Sequence, residues 1–152
     1  MWWVFMGACD KYPLRSLSAM FKKLDHIAIL VRDTNEALRF YRDTFGLNLL
    51  VSEELGEVGV RLTHLDMGNV KLQLVQPLRD DHPLMTQLNE KGEGLHHLCW
   101  EVDDTNEAME KLEDFGLEAK AGEPHPAPEG GSAAFIESSK TRGVLWEMTS
   151  KR

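Results

Sequence analysis

His26-Ile-Ala-Ile-Leu-Val-Arg-Asp-Thr-Asn-Glu-Ala37 decides how this chain is read, because it returns as His97-Leu-Cys-Trp-Glu-Val-Asp-Asp-Thr-Asn-Glu-Ala108. The runs Asp33 to Ala37 and Asp104 to Ala108 are identical, and Phe45-Gly46-Leu47 reappears as Phe115-Gly116-Leu117. Similarity at a fixed period means duplicated structural units, so the informative positions are those the two units share. Both units open on a histidine. Both also carry an oxygen-bearing side chain in their last β-rich segment, Gln73 in the first and Glu147 in the second.

Outward from the repeat, Leu24 to Val31 is β-rich and bounded by charge, which suits a strand covered on both faces. Asp33 with Glu36, and Asp104 with Glu107, have the spacing of a helix capping box. The helices that follow place Ala37, Phe40, Tyr41 and Phe45 in one unit, and Ala108, Leu112 and Phe115 in the other, at helical spacing. Gly46 and Gly116 then stand where helices end. Further β-rich segments fall at 47–51, 60–66 and 70–76, and again at 118–121, 133–136 and 144–149.

The expected class is therefore α+β. Paired βαβββ modules form facing curved sheets around a metal-binding cleft, with the helices outside. One domain spans residues 22–150, with module one at 22–77, a connector at 78–94 holding a short helix near 83–90, and module two at 95–150. The Pro/Gly-rich stretch 124–131 reads as a loop, a candidate rim or lid. Residues 1–21 are an N-terminal extension, disordered or packed on the surface, with no assigned function. Its apolar start is too short to span a bilayer and lacks the basic region of a signal peptide.

At 152 residues the chain is long enough to bury a core, and 42% hydrophobic with 28% charged residues describes a soluble globular protein. The formal net charge of −8 argues against nucleic acid as a partner, since phosphate binding needs concentrated Lys and Arg. Cys9 and Cys99 give no disulfide framework, so a reducing cytoplasm is expected, with no membrane association.

A pseudo-twofold relation between the modules would let His26, Gln73, His97 and Glu147 converge on one point. Two imidazoles, an amide oxygen and a carboxylate suit a divalent Zn, Co, Ni, Mn or Fe ion with positions left open. Singly, each residue has a plainer reading. A strand histidine is more often a hydrogen-bonded core residue than a ligand, and Gln73 could be the solvent side of an alternating strand. Four candidates at symmetric places outweigh those readings. His96 raises an assignment problem, because successive strand residues face opposite sides. Alignment with Asp25-His26 selects His97 and leaves His96 outside or behind it.

Leu24-Asp-His-Ile27, Lys71-Leu-Gln-Leu-Val-Gln-Pro77, Gly92-Glu-Gly-Leu-His-His-Leu98 and Gly143-Val-Leu-Trp-Glu147 resemble the vicinal oxygen chelate (glyoxalase/bleomycin-resistance) superfamily over about residues 22 to 150. Within it the sequence is most similar to the methylmalonyl-CoA epimerases. The resemblance implies metal ligation by His26, Gln73, His97 and Glu147. It also implies a second acidic residue in Glu53-Glu-Leu-Gly-Glu57-Val-Gly-Val60, a role that falls to Glu57. Gly56 stands where those epimerases usually have Pro, and Val58 where Gln is common.

The implied reaction is epimerisation of methylmalonyl-CoA or a similar acyl-CoA thioester. Glu57 and Glu147 are the two bases, on opposite faces of a metal-stabilised enolate. Arg61, Lys71, Arg79, Lys140 and Arg142 are the candidate cations for CoA, and a homodimer is expected. A glyoxalase I-type lactoylglutathione lyase would share most of the chemistry but more often has Glu where this chain has Gln73. An extradiol dioxygenase would use two His and one Glu. A non-catalytic small-molecule-binding module would usually lack the full ligand set.

Overall fold

The computed structural model describes residues 20–151. The extension therefore lies outside the described residues apart from Met20 and Phe21, and so does Cys9. Eight strands are present among the described residues: β1 (Lys23–Leu30), β2 (Asn48–Leu55), β3 (Val60–Asp66), β4 (Lys71–Pro77), β5 (Gly94–Glu101), β6 (His125–Pro126), β7 (Ser132–Ile136) and β8 (Trp146–Ser150). The helices are α1 (Thr34–Leu38), α2 (Pro83–Lys91) and α3 (Thr105–Lys111). Asp33 and Asp104 cap α1 and α3, each accepting a hydrogen bond from the backbone N–H three residues on at 3.0 Å. Helical structure continues past α1 as a wider π turn over Arg39–Thr44. Gly46 (φ 77°) and Gly116 (φ 70°) then reverse the chain in a conformation that side-chain-bearing residues rarely adopt.

The strands form one continuous sheet in the order β2-β3-β4-β1-β5-β8-β7-β6. Read from the centre, each half repeats the other: β1-β4-β3-β2 on one side and β5-β8-β7-β6 on the other. β1 pairs in parallel with β4, as β5 does with β8, while β1 and β5 meet antiparallel and join the halves. The expected facing sheets are thus the two arms of a single mixed sheet that curls into a half-barrel. The turn that follows β6 touches the edge strand β2, where the Glu129 N–H donates to Glu53 Oε2 at 3.0 Å.

Strand alternation sorts the side chains. Leu72 and Leu74 join Leu65 against Leu38 of α1, whereas Val75 joins Leu30 and Val60 against Leu88 of α2. Met148 and Ile136 pack with Ala108 and Leu112 under α3. Gln73 and Glu147 occupy the alternate positions and point into the curl. Two details depart from the sequence-based expectation. Residues 118–121 make one bridge, Ala119 with Ile136, instead of a strand. The sheet is completed by His125–Pro126, inside the stretch expected to be only a loop.

Candidate metal centre

The duplication brings His26, His97 and Glu147 into contact, and Gln73 lines the cavities beside them. His26 and Gln73 are 3% exposed, and His97 and Glu147 are 5% exposed. His26 lies in the row His26–Cys99–Glu147 that crosses β1, β5 and β8. His26 Nε2 and His97 Nε2 are 3.2 Å apart. Glu147 Oε2 lies 3.3 Å from the first and 3.0 Å from the second. Donors bound to one ion at ordinary N and O bond lengths sit roughly 3.0–3.5 Å from each other. The triangle His26–His97–Glu147 has that size, and its donor types fit a divalent transition ion.

Each candidate ligand is held from behind by one further side chain. His26 Nδ1–H donates to Asp25 Oδ2 at 2.8 Å, which leaves Nε2 to face the centre. The same carboxylate oxygen receives Lys71 Nζ at 2.9 Å. His97 Nδ1 lies 2.7 Å from His96 Nδ1. Gln73 Nε2 donates to His64 Nε2 at 2.8 Å, which turns the amide oxygen away from that ring. His125 Nε2–H donates to Glu147 Oε1 at 3.1 Å. Such outer partners fix the tautomer and orientation of ligating groups.

Titration behaviour follows from this packing. Burial alone would raise the Glu147 carboxyl, but the charge of His97 and hydrogen bonds from His125, His26 and His97 hold it well below the usual carboxylate range. Burial would likewise raise Asp25, yet hydrogen bonds from His26 and Lys71 hold it below that range. Burial would lower His26, and the carboxylates of Asp25 and Glu147 raise it instead. Burial, with the charges of His26 and Lys71, pushes His64 down to about 3. His96 is pushed down to about 4 by burial and the neighbouring His97.

His97 faces the centre with His96 behind it, as expected, but strand alternation is not the reason. Strand alternation breaks at two bulges, one between Leu24 and His26 and one where Ala28–Ile29 faces His97 and Leu95. An extra residue at a bulge lets two successive side chains face one side. Asp25 beside His26, and His96 beside His97, both turn inward. His96 is behind His97 and also lines the cavity next to it.

Cys99, in the same strand row, places its sulfur within 4.8 Å of one donor atom each of His26 and Glu147. Cys99 is therefore a further neighbour of the centre, outside the donor set expected from the sequence. Burial, with the charge of Glu147 and a hydrogen bond to it, keeps this group well above its ordinary pKa, hence a thiol. Thiols coordinate as thiolates, so the nitrogen and oxygen donors form the better set.

The centre separates two cavities. A small one of about 40 Å³ has Asp25, His64, Lys71 and Thr149 in its lining. A larger one of about 340 Å³ opens past His97 and Glu147 between apolar walls that include Val60, Val75, Leu84, Phe135 and Leu145. Lys120 is the cation on its rim and was not among those considered for CoA. Among those that were, Lys71 is bound to Asp25 and Arg79 pairs with Asp81 at 3.1 Å. Glu57 stands exposed on the β2–β3 turn, next to Val58, which lines the larger cavity. Asp25, His64 and His125 escaped the sequence reading, although Asp25 was part of a quoted motif.

Residues 25–135 match the Glyoxalase/Bleomycin resistance protein/Dioxygenase superfamily. The chain is 35% identical over 126 residues to the uncharacterised protein YqjC of Bacillus subtilis (strain 168), covering 83% of this chain and 90% of that one. It is 33% identical over 128 residues to the mitochondrial methylmalonyl-CoA epimerase of Mus musculus, covering 83% and 71%. A solved methylmalonyl-CoA epimerase in complex with methylmalonyl-CoA and NH4+ superposes with a TM-score of 0.78 at 30% identity, covering 87% and 95%. No helix among the described residues is long and apolar enough to cross a membrane. With a matching family profile, fold and relatives, the chain belongs to the glyoxalase/bleomycin resistance/dioxygenase superfamily, and methylmalonyl-CoA epimerases are among its homologues and structural neighbours.

Proposed function

We propose that this protein is a metal-dependent epimerase of methylmalonyl-CoA or a similar 2-substituted acyl-CoA thioester. The observation that carries the reading is the tight triangle of His26 Nε2, His97 Nε2 and Glu147 Oε2 at the end of an apolar cavity. His26, Gln73, His97 and Glu147 would hold the ion. When bound, a divalent ion supplies Lewis-acid polarisation of the thioester carbonyl, which lowers the cost of charge building on oxygen as the α-proton leaves.

The chain's own groups do the rest. His26 and His97 are locked with their Nε2 atoms inward, so the centre is preorganised. The walls at Val60, Val75, Leu84 and Phe135 exclude water from the reacting carbon and accept its alkyl substituent. Inversion needs a base on each face of the α-carbon, and Glu147 and Glu57 take those places. Glu147 is in the cavity wall already. Glu57 reaches the opposite face from the β2–β3 turn, where Gly56 and Gly59 flank the Glu57-Val58 pair. Lys120 is placed at the rim to meet an anionic part of the ligand. The homodimer and the cytoplasmic location remain part of this proposal.

The test is inversion of a single methylmalonyl-CoA enantiomer, followed by chiral analysis. Metal-loaded protein is expected to give both enantiomers and chelator-treated protein to give one. Retention of the starting enantiomer with metal fully bound removes the substrate and moves a glutathione hemithioacetal to the front.

A further inference from the structure

The two halves hold their closing-strand ligands by different means. In the first half, β3 places His64 directly opposite Gln73 on β4, and the ring meets the amide across the strand pair. The corresponding position in the second half is Phe135 on β7, opposite Glu147 on β8. Phenylalanine has no ring nitrogen to offer its partner. A ring nitrogen comes instead from one strand further out: His125 of β6 stacks on the Phe135 ring, with centroids 5.3 Å apart and planes 18° apart. From there its Nε2–H reaches Glu147 Oε1 at 3.1 Å.

This contact divides the Glu147 carboxylate. Oε1 is engaged by His125, and Oε2 alone faces His26 and His97. Phe135 supports both sides of the arrangement, because its ring also meets His97 edge-on at 5.1 Å. The strand that carries His125 is only two residues long, and its continuation is tied down by the Glu129 N–H to Glu53 contact and by Ala127 N–H to Gly131 O at 3.0 Å. A Cβ at Gly131 would lie 2.8 Å from Ser150 O, so the loop approaches β8 more closely than any other residue would allow.

We propose that His125 is a positioning residue for the metal centre: stacked on Phe135, it holds Glu147 Oε1 and presents Oε2 alone to the ion. The proposal rests on Glu147 being a ligand, as argued under the proposed function. Its consequence is a specific separation of roles within one side chain, stacking for placement and Nε2–H for orientation.

Three full-length variants test it: His125→Phe keeps a stacked ring without the donor, His125→Gln keeps an N–H donor without the stack, and His125→Ala removes both. Each is titrated with Co2+ as the metal-free protein, read by the visible absorption of the bound ion, and melted without metal. Phe and Ala are expected to weaken Co2+ binding about 10- to 100-fold and alter the visible bands. Gln is expected to recover most of the affinity, and the metal-free melts of Phe and wild type are expected to coincide. Wild-type Co2+ binding with an unchanged Phe variant overturns the role of His125, as does a Gln variant no better than Phe. Failure of the wild-type protein itself to bind Co2+ overturns the metal-centre reading, and this proposal with it.

Discussion

Asp25 and His96 hold equivalent places in the two halves of the molecule. Each is the residue just ahead of a candidate ligand histidine, each lies at a β-bulge, and each meets that histidine's Nδ1, at 2.8 and 2.7 Å respectively. One is a carboxylate and the other an imidazole. The geometry of the outer contact is thus duplicated while its chemistry has diverged.

The carboxylate version has measurable weight. Asp25→Asn keeps a hydrogen-bond acceptor for His26 but loses the charge, and Asp25→Ala loses both. Metal affinity should fall in that order, by about 10- to 100-fold in the alanine variant. Asp25→Ala also leaves Lys71 without its partner in a largely buried place, which costs on the order of 3 kcal/mol of folding stability. Urea denaturation of the metal-free forms measures the second effect separately from the first.

Acidification should unfold the metal-free protein for an identifiable reason. His64 and His96 are held at about 3 and about 4 in the fold, while in an unfolded chain both titrate near 6.5. Between those limits the unfolded state binds more protons, so stability rises with pH there. The contribution of these two groups is whole above about pH 6.5 and is lost as pH falls toward 4 and then 3. His26, raised by its carboxylate neighbours, works in the opposite direction. The clean comparison is therefore wild type against His64→Gln. Denaturation midpoints measured from neutral pH to about pH 4.5 should drop less steeply in the variant, and an equal slope would contradict the assignment.

Cys99 provides a control on the donor set. Co2+ bound by nitrogen and oxygen lacks the intense near-ultraviolet sulfur-to-metal band that a thiolate ligand produces. The wild-type adduct should lack that band, and Cys99→Ala should bind Co2+ with an unchanged spectrum. A band present in wild type and absent in the variant would make Cys99 a ligand.

Packing around α2 sets the shape of the larger cavity. Leu88 of α2 is fully buried against Ala28, Leu30, Val60 and Val75. Leu88→Ala should cost about 2–5 kcal/mol through lost contacts and the cavity it leaves. Leu95, 75% exposed on β5, should change stability by no more than about 0.5 kcal/mol when replaced by alanine. Paired denaturation curves check both.

The repeat made the fold legible, because each unit carries its own strand start, Asp cap and glycine stop within the duplicated words. It also pointed to His26, Gln73, His97 and Glu147, since symmetric positions reinforce one another where a lone histidine would not. The supporting residues were less accessible. His64 matters through the β3–β4 register that sets it opposite Gln73, and nothing in its own neighbourhood signals that pairing. Asp25 and His96 turn inward through bulges, which strand alternation cannot anticipate. His125 sits between two prolines, a context that reads as loop although it forms the last edge of the sheet.

The most direct test of the central claim is α-proton exchange in D2O, starting from one enantiomer of methylmalonyl-CoA with the metal-loaded protein. The account predicts deuterium at the α-carbon together with inversion. It also predicts that Glu57→Gln stops inversion while Glu147 still exchanges the proton on its own face. Full inversion by Glu57→Gln at the wild-type rate would contradict the two-base assignment, and no exchange by the metal-loaded wild type would contradict the epimerase itself.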